Sequence, residues 1–488
     1  MSPARTSTSH AERQLPGVTL AVLALGAMAY SLLQSGVAPA LPNIQSSLHA
    51  TETGASWVFT AYLLSASVGT PILGRLGDMY GKERWLLYTL IGLAAGTLLA
   101  ALASSLWLLI LARVIQGFGG GIFPLAFGIV RDEFPRERVA GAIGLLSAIL
   151  GIGGGLGVVA AGVIVRSLDY HWLFWIPLVA IVASAVLTWR LVPESPIRVP
   201  GRVNWTAAVL MGAGLSTVLI AVSQTSRWGW GSSKTIGLIA AGLGLLGAWV
   251  AVELRSRNPL VDMRMMRLRG VWTTNLAAFL LGAGMFSSFI LVPQFVETPT
   301  RNGFGFGATI TGGGLFLLPA TLTLMVVGAL AGRVAGRFGS KRALVAGSAF
   351  AMASFALMLF LHGHPWNFYV ATALLGVGIG LAFAAMGNLI VEAVPPEQTG
   401  VATGMNTVLR TVGGALGAQI GATFIAANMF HGLPTEHGYN LAFLMATLAL
   451  GLGILASLAV PGRTGERGTR GRRARDPAPR PEVSPEAA

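Results

Sequence analysis

Gln34, Arg113, Gln116, Asn406 and Arg410 are polar or charged residues set inside long apolar runs of this 488-residue chain. Ionisable groups in such surroundings are costly, so the default expectation is that they bind or move something. Arg113 lies seven residues into its run, and Gln34 lies seven from the end of another, at similar depth. Gln116 shares a helix face with Arg113 at i, i+3. Arg410 lies deeper, ~15 Å into its run at about 1.5 Å per residue. No Asp or Glu falls well inside any run. Two readings follow. Either each arginine is a fixture held by Gln34, Gln116, Asn406 and backbone carbonyls, or the pair makes a cavity positive and attracts an anionic ligand. Any proton coupling then falls to the boundary carboxylates Asp78, Asp132, Glu253 or Glu297, or to the ligand itself.

Other chemistries lack their residues. His362 and His364 stand in a short loop without further ligands, and cysteine is absent, so no metal or cofactor is expected. Gly151-Ile-Gly153-Gly-Gly155-Leu-Gly157 has dinucleotide-loop spacing, but that loop must follow a strand, and here it lies within an apolar run. No Walker sequence points to ATP. An enzyme would need clustered His, Asp or Glu, and a sensor would need an attached signalling domain. The net charge of +14 is spread in short clusters between apolar runs rather than over a face with stacking aromatics, which argues against nucleic acid.

The elements that position these residues follow from composition. The chain is 53% hydrophobic and 11% charged, whereas a soluble chain carries roughly 25% charged residues. Its solvent is lipid. A crossing helix needs about 20 apolar residues, and runs near 16–41, 54–74, 85–104, 106–131, 139–165, 171–191, 203–224, 234–254, 271–296, 308–331, 342–361, 366–391, 400–428 and 439–460 qualify as spans one to fourteen. With the first 15 residues inside, 27 Lys and Arg fall on the inner side and four outside, namely Arg166, Arg227, Lys234 and Arg301. That asymmetry places both termini in the cytoplasm and the protein in the cell membrane. The first run is too long for a removable signal. The tail, 461–488, is rich in Arg, Pro and Gly and is expected to be disordered.

The chain also repeats itself. Pro135, Glu137, Ala142, Gly144, Gly153, Gly154, Leu156 and Gly157 recur 260 positions on, from Pro395 to Gly417. Gly117, Gly119 and Gly121 recur as Gly376, Gly378 and Gly380, and Gly74, Arg75, Gly81 and Arg84 as Gly332, Arg333, Gly339 and Arg342. The repeat unit is six spans. It divides the chain into bundles at 16–191 and 266–460, joined by a linker of two further spans at 192–265. Repeats of this kind build secondary transporters that bind substrate between halves near the midplane.

The segment Gly74-Arg75-Leu76-Gly77-Asp78-Met79-Tyr80-Gly81-Lys82-Glu83-Arg84 reads as a glycine-rich cytoplasmic loop. In it Asp78 can accept from amides that begin a helix, while Lys82 and Arg84 stay near headgroups. Such a loop could latch the two halves. It resembles the G-x-L-a-D-x-x-G-r-k signature of the major facilitator superfamily. Arg113-Val-Ile-Gln116-Gly117-Phe-Gly119 resembles that family's R-x-x-Q-G-x-G motif, and the run from Asp132 through Pro135 to Arg138 resembles its D-x-x-P-x-x-R element. Fourteen spans, with Arg227-Trp228-Gly229-Trp230 and Asn258-Pro259-Leu260, resemble the drug:proton antiporter branch, similar to the EmrB and QacA multidrug exporters. The resemblance covers about residues 16–460. It implies an all-α major facilitator fold and a monomeric secondary transporter in the bilayer that exports small amphipathic molecules in exchange for protons. Two departures stand out. Leu33 occupies the position where the branch carries Asp, and Gly157-Val158-Val159-Ala160-Ala161-Gly162 replaces its G-P-x-x-G-G. Gly153, Gly154, Gly157 and Gly162 are expected to supply close helix packing instead. The alternative is export or facilitation of an acidic metabolite without conventional antiport.

Overall fold

Backbone in hydrocarbon must satisfy its own hydrogen bonds, and among the described residues fourteen helices are long and apolar enough to cross a membrane. The computed structural model describes residues 16–50, 52–194, 203–300, 303–430 and 433–461. The expectations for residues 1–15 and for the tail beyond Pro461 lie outside the described residues. Spans one to three are Pro16–Ser47, Glu52–Tyr80 and Lys82–Ala101. Span four runs Leu106–Gly117, tightens through Phe118–Gly121 and resumes as Ile122–Glu133. Spans five to nine are Arg136–Ser167, Trp172–Leu191, Trp205–Ser223, Ser233–Arg255 and Arg269–Glu297. Span ten is Ile310–Leu315 followed by Leu318–Phe338. Spans eleven to fourteen are Ser340–Phe360, Pro365–Ala393, Thr399–Ala427 and Glu436–Ala459. An even number of crossings puts Pro16 and Ala459 on the same face, called the terminal face below.

Gly74–Arg84, read as a loop, is helical on both sides of one residue. Span two continues to Tyr80, and Gly81, at φ 110°, makes the break before span three. Its repeat partner Gly339, at φ 87°, separates spans ten and eleven in the same way. A side chain at either position would be strained. The earlier glycines serve packing rather than turning: Gly77 lies against Leu125 and Gly74 against Gly400.

The repeat is also legible in side-chain contacts. Gly117 of span four packs on the Tyr62 carbonyl and Ser65 of span two, and Gly376 of span twelve packs on the Ala320 carbonyl and Thr323 of span ten. Each pair of partners is 258 or 259 positions apart. One apolar core gathers spans one to six, and a second gathers spans nine to fourteen. A third, smaller core joins spans seven and eight to spans two, nine and thirteen. Spans seven and eight clasp each other through Gly214 and Gly242. Gly212 rests on Val68 of span two, and Trp230 Nε1 donates to Thr423 Oγ1 of span thirteen at 2.9 Å. The extra pair therefore lies along the junction of the two bundles.

Candidate functional site

The glycines of span five sort by helix face. Gly153 and Gly157 press on the Met28 and Leu32 carbonyls of span one, and Ser35 Oγ donates to the Gly153 carbonyl at 3.2 Å. Gly151 and Gly155 meet Leu324 and Thr321 of span ten. Gly154 meets only Phe289 of span nine, and Gly154 and Gly162 line a cavity of about 520 Å³ between the bundles. Small residues let the backbones approach on two faces while a third face stays open.

Aromatic side chains from both halves wall this cavity, among them Tyr30, Phe59, Phe123, Phe286 and Phe289, with Gln34, Thr70, Gln294 and Thr407 as polar groups. Among the described residues two charges reach it, Arg410 and Glu297. Its lining includes Pro39, Leu41, Gly162 and Glu297, so it reaches the span ends opposite the terminal face. Gly282 packs on the backbone of Arg410, which sets the two level. Glu297 is 15 residues further along span nine, ~22 Å up the helix at about 1.5 Å per residue. Arg410 thus marks the floor and Glu297 the rim.

The five predicted polar residues divide. Gln34 and Arg410 are on the cavity wall. Arg113 and Gln116, expected there, are fully buried inside the first bundle instead. Arg113 Nε donates to the Val58 carbonyl at 3.1 Å, and Nη1 to the Leu33 carbonyl at 3.3 Å and Gln116 Oε1 at 2.8 Å. Its guanidinium lies 4.0 Å from the Tyr62 ring centroid, and Gln116 Nε2 donates to Thr97 Oγ1 at 3.1 Å. The reason is rotational: this face of span four turns toward spans one to three, where carbonyls, Gln116 and the Tyr62 ring surround Arg113. Asn406 is buried below the floor, where Nδ2 donates to Asn275 Oδ1 at 2.9 Å. Arg410 differs from Arg113. Its guanidinium lies 4.5 Å from the Phe383 ring centroid, and among the described residues no oxygen accepts from it.

The terminal face is sealed by two seams of like construction. In one, Gly74 of span two abuts Gly400 of span thirteen, where an added Cβ would lie 2.6 Å from the Gly400 carbonyl oxygen. Asp78 Oδ2 accepts from the Val401 amide at 3.2 Å, so a carboxylate of one half caps a helix of the other. In the second seam, Gly332, the repeat partner of Gly74, abuts Gly141 and Gly144 of span five. Arg131 adds a bridge: Nη2 donates to the Val394 carbonyl at 2.8 Å, and Nη1 to Thr399 Oγ1. Sequence reading missed Arg131, although it adjoins Asp132 in a motif that was recognised.

Lys82, expected near the headgroups, is buried. Its Nζ donates to Asp132 Oδ2 at 2.8 Å and lies 3.6 Å from Asp78 Oδ1. Two carboxylates hold an ammonium that would otherwise be costly to bury. Arg84 does stay outside, 3.8 Å from Glu194, and Arg138 is exposed. Glu253, a candidate for coupling, is committed elsewhere: it accepts from the Leu260 and Val261 amides and from Trp249 Nε1.

Two six-span bundles related by a repeat, with a cavity between them sealed on one face, define a membrane transporter. The chain matches the Major Facilitator Superfamily over residues 23–418 and belongs to that family. It is similar to "Multidrug resistance protein 3" of Bacillus subtilis, 28% identical over 92% of this chain and 86% of that protein. It is likewise similar to the tetracenomycin C resistance and export protein of Streptomyces glaucescens, 30% identical over 86% of this chain and 77% of that one. Among solved structures, the human organic anion transporter MFSD10 (TETRAN) superposes with a TM-score of 0.66 at 16% identity, over 92% of this chain and all of that one. The proton:xylose symporter XylE does so with 0.64 at 13%, over 92% and 96%. The chain is a multi-pass transporter and not an enzyme.

Proposed function

We propose that this protein is a secondary exporter of small amphipathic molecules that works by alternating access. The observation that carries the reading is the aromatic cavity between the halves, sealed on the terminal face by two glycine seams and the Asp78 cap. The clustering of Arg and Lys on that face makes it cytoplasmic, so this conformer presents the cavity outward. The relatives named for multidrug resistance and for export support amphipathic drugs or a related metabolite as cargo. Residues 16–191 and 266–460 act as the moving bundles, and 192–265 spans their junction. The monomer is the working unit. Proton coupling falls to Glu297, the carboxylate that reaches the cavity among the described residues. A second reading, export of an acidic metabolite without conventional antiport, is favoured by Arg410, whose cation faces the cavity with no acceptor among the described residues.

Everted membrane vesicles test the first claim. Ethidium or 9-anthracenecarboxylate should accumulate in vesicles containing the protein and not in vesicles without it. Absence of accumulation for a panel of amphipathic cations, anions and neutral dyes would remove the exporter assignment.

A further inference from the structure

We propose that the cargo carries an anionic group, a carboxylate or a group of similar shape, and that Arg410 is the residue that selects it. The proposal rests on the exporter reading for the route, but the binding site it describes stands on its own geometry. The Arg410 guanidinium is presented at the cavity floor with the Phe383 ring 4.5 Å behind it and no protein oxygen accepting from it among the described residues. Glu297, the one carboxylate that reaches the same cavity among the described residues, lies ~22 Å away along the helix at about 1.5 Å per residue, too far to neutralise it. Arg410 is half-buried at the floor of an outward-facing cavity, so its guanidinium is accessible to a ligand, and a planar guanidinium matches a carboxylate through two parallel hydrogen bonds.

The repeat sharpens the point. The position equivalent to Arg410 in the first bundle, 260 residues earlier, is Leu150, and Leu150 also lines the cavity. Two equivalent wall positions therefore carry a cation on one half and an alkyl group on the other. A cargo with an acidic end and an apolar body fits that polarity. Phe123, Phe286 and Phe289 lie on the same walls as a surface for an aromatic body, and about 520 Å³ suits a molecule of drug size.

The test is binding to the purified full chain, read by anthracene fluorescence, with 9-anthracenecarboxylate, its methyl ester and 9-(aminomethyl)anthracene as probes. Wild type should bind the carboxylate most tightly. Arg410→Gln should weaken the carboxylate about ten- to a hundredfold while leaving the ester unchanged. Arg410→Lys should restore part of the loss, which separates charge recognition from a folding defect; thermal melts of each variant provide the second check. Equal affinity for carboxylate and ester in wild type, preference for the amine, or an unchanged carboxylate-to-ester ratio in a folded Arg410→Gln would overturn the proposal. Carboxylate binding that depends on Arg410 without any vesicle uptake would keep the site and sink the exporter reading instead.

Discussion

The Arg113 guanidinium donates to two carbonyls and to Gln116, and all of these groups are buried within the first bundle. Arg113→Ala strips the acceptors of their donor and opens a void beside Tyr62. The expected cost is about 2–4 kcal/mol, read as a melting temperature lowered by several degrees. Insertion into the membrane should survive, because the hydropathy of span four is not reduced, whereas transport should be lost. Arg113→Lys should not restore it, since an ammonium lacks the fork that reaches Val58, Leu33 and Gln116 together. Normal efflux by either variant would remove Arg113 from the mechanism. Sequence alone favours a cavity role for Arg113 over Arg410, although both are arginines deep in apolar runs. What separates them is the rotation of spans four and thirteen about their own axes, which packing against other spans decides. Burial depth was legible; facing was not.

At the scale of the element, closure of the terminal face depends on helices meeting at glycines, with one carboxylate across the seam. Asp78→Ala removes the cap on span thirteen, and Gly74→Val places a side chain against the Gly400 carbonyl. Both should shift the population toward a conformer opened on the terminal face. A cap is worth about 0.5–2 kcal/mol, and one or two kcal/mol changes a two-state ratio roughly 5–30-fold. The chain has no native cysteine, so spin labels at Arg138→Cys and Arg342→Cys, both exposed on that face, report the distance between bundles without background. A longer-distance population should grow in both variants. Distributions identical to the unmutated labelled chain would show that neither seam holds the halves together. The local sequence hid this arrangement. Hydropathy falls at Arg75 and Asp78, so span two looked finished near residue 74, yet the helix runs on because Asp78 and Lys82 find partners at Val401 and Asp132. A window along the chain cannot see a partner 323 positions away. The break falls at Gly81 alone, and its recurrence at Gly339 carries the repeat into backbone geometry.

For the whole molecule, the span count and the sixfold repeat were legible because lipid demands apolar runs of fixed length and duplication leaves its glycines in register. The energy source was not, since the branch's usual Asp is Leu33 here and Leu33 is buried against the first bundle's core. Physics narrows the choice. Moving one negative charge out of a cell that is negative inside gains about 2.3 kcal/mol per 100 mV, close to a fiftyfold gradient. An anionic cargo therefore needs no counter-ion to be expelled. In everted vesicles at equal pH, a lumen-positive potential set by potassium and valinomycin should raise 9-anthracenecarboxylate uptake and leave its methyl ester unaffected, each measured against vesicles lacking the protein. Should Glu297 also carry a proton inward, a pH gradient at zero potential would drive uptake too, and Glu297→Gln would abolish that part while sparing the response to potential. Uptake driven by the pH gradient and unchanged in Glu297→Gln would move the coupling site to the cargo's own carboxyl. Uptake indifferent to both gradients would mean that no charge crosses with the cargo, and the cation on the cavity floor would then have to be neutralised by a group the cargo does not bring.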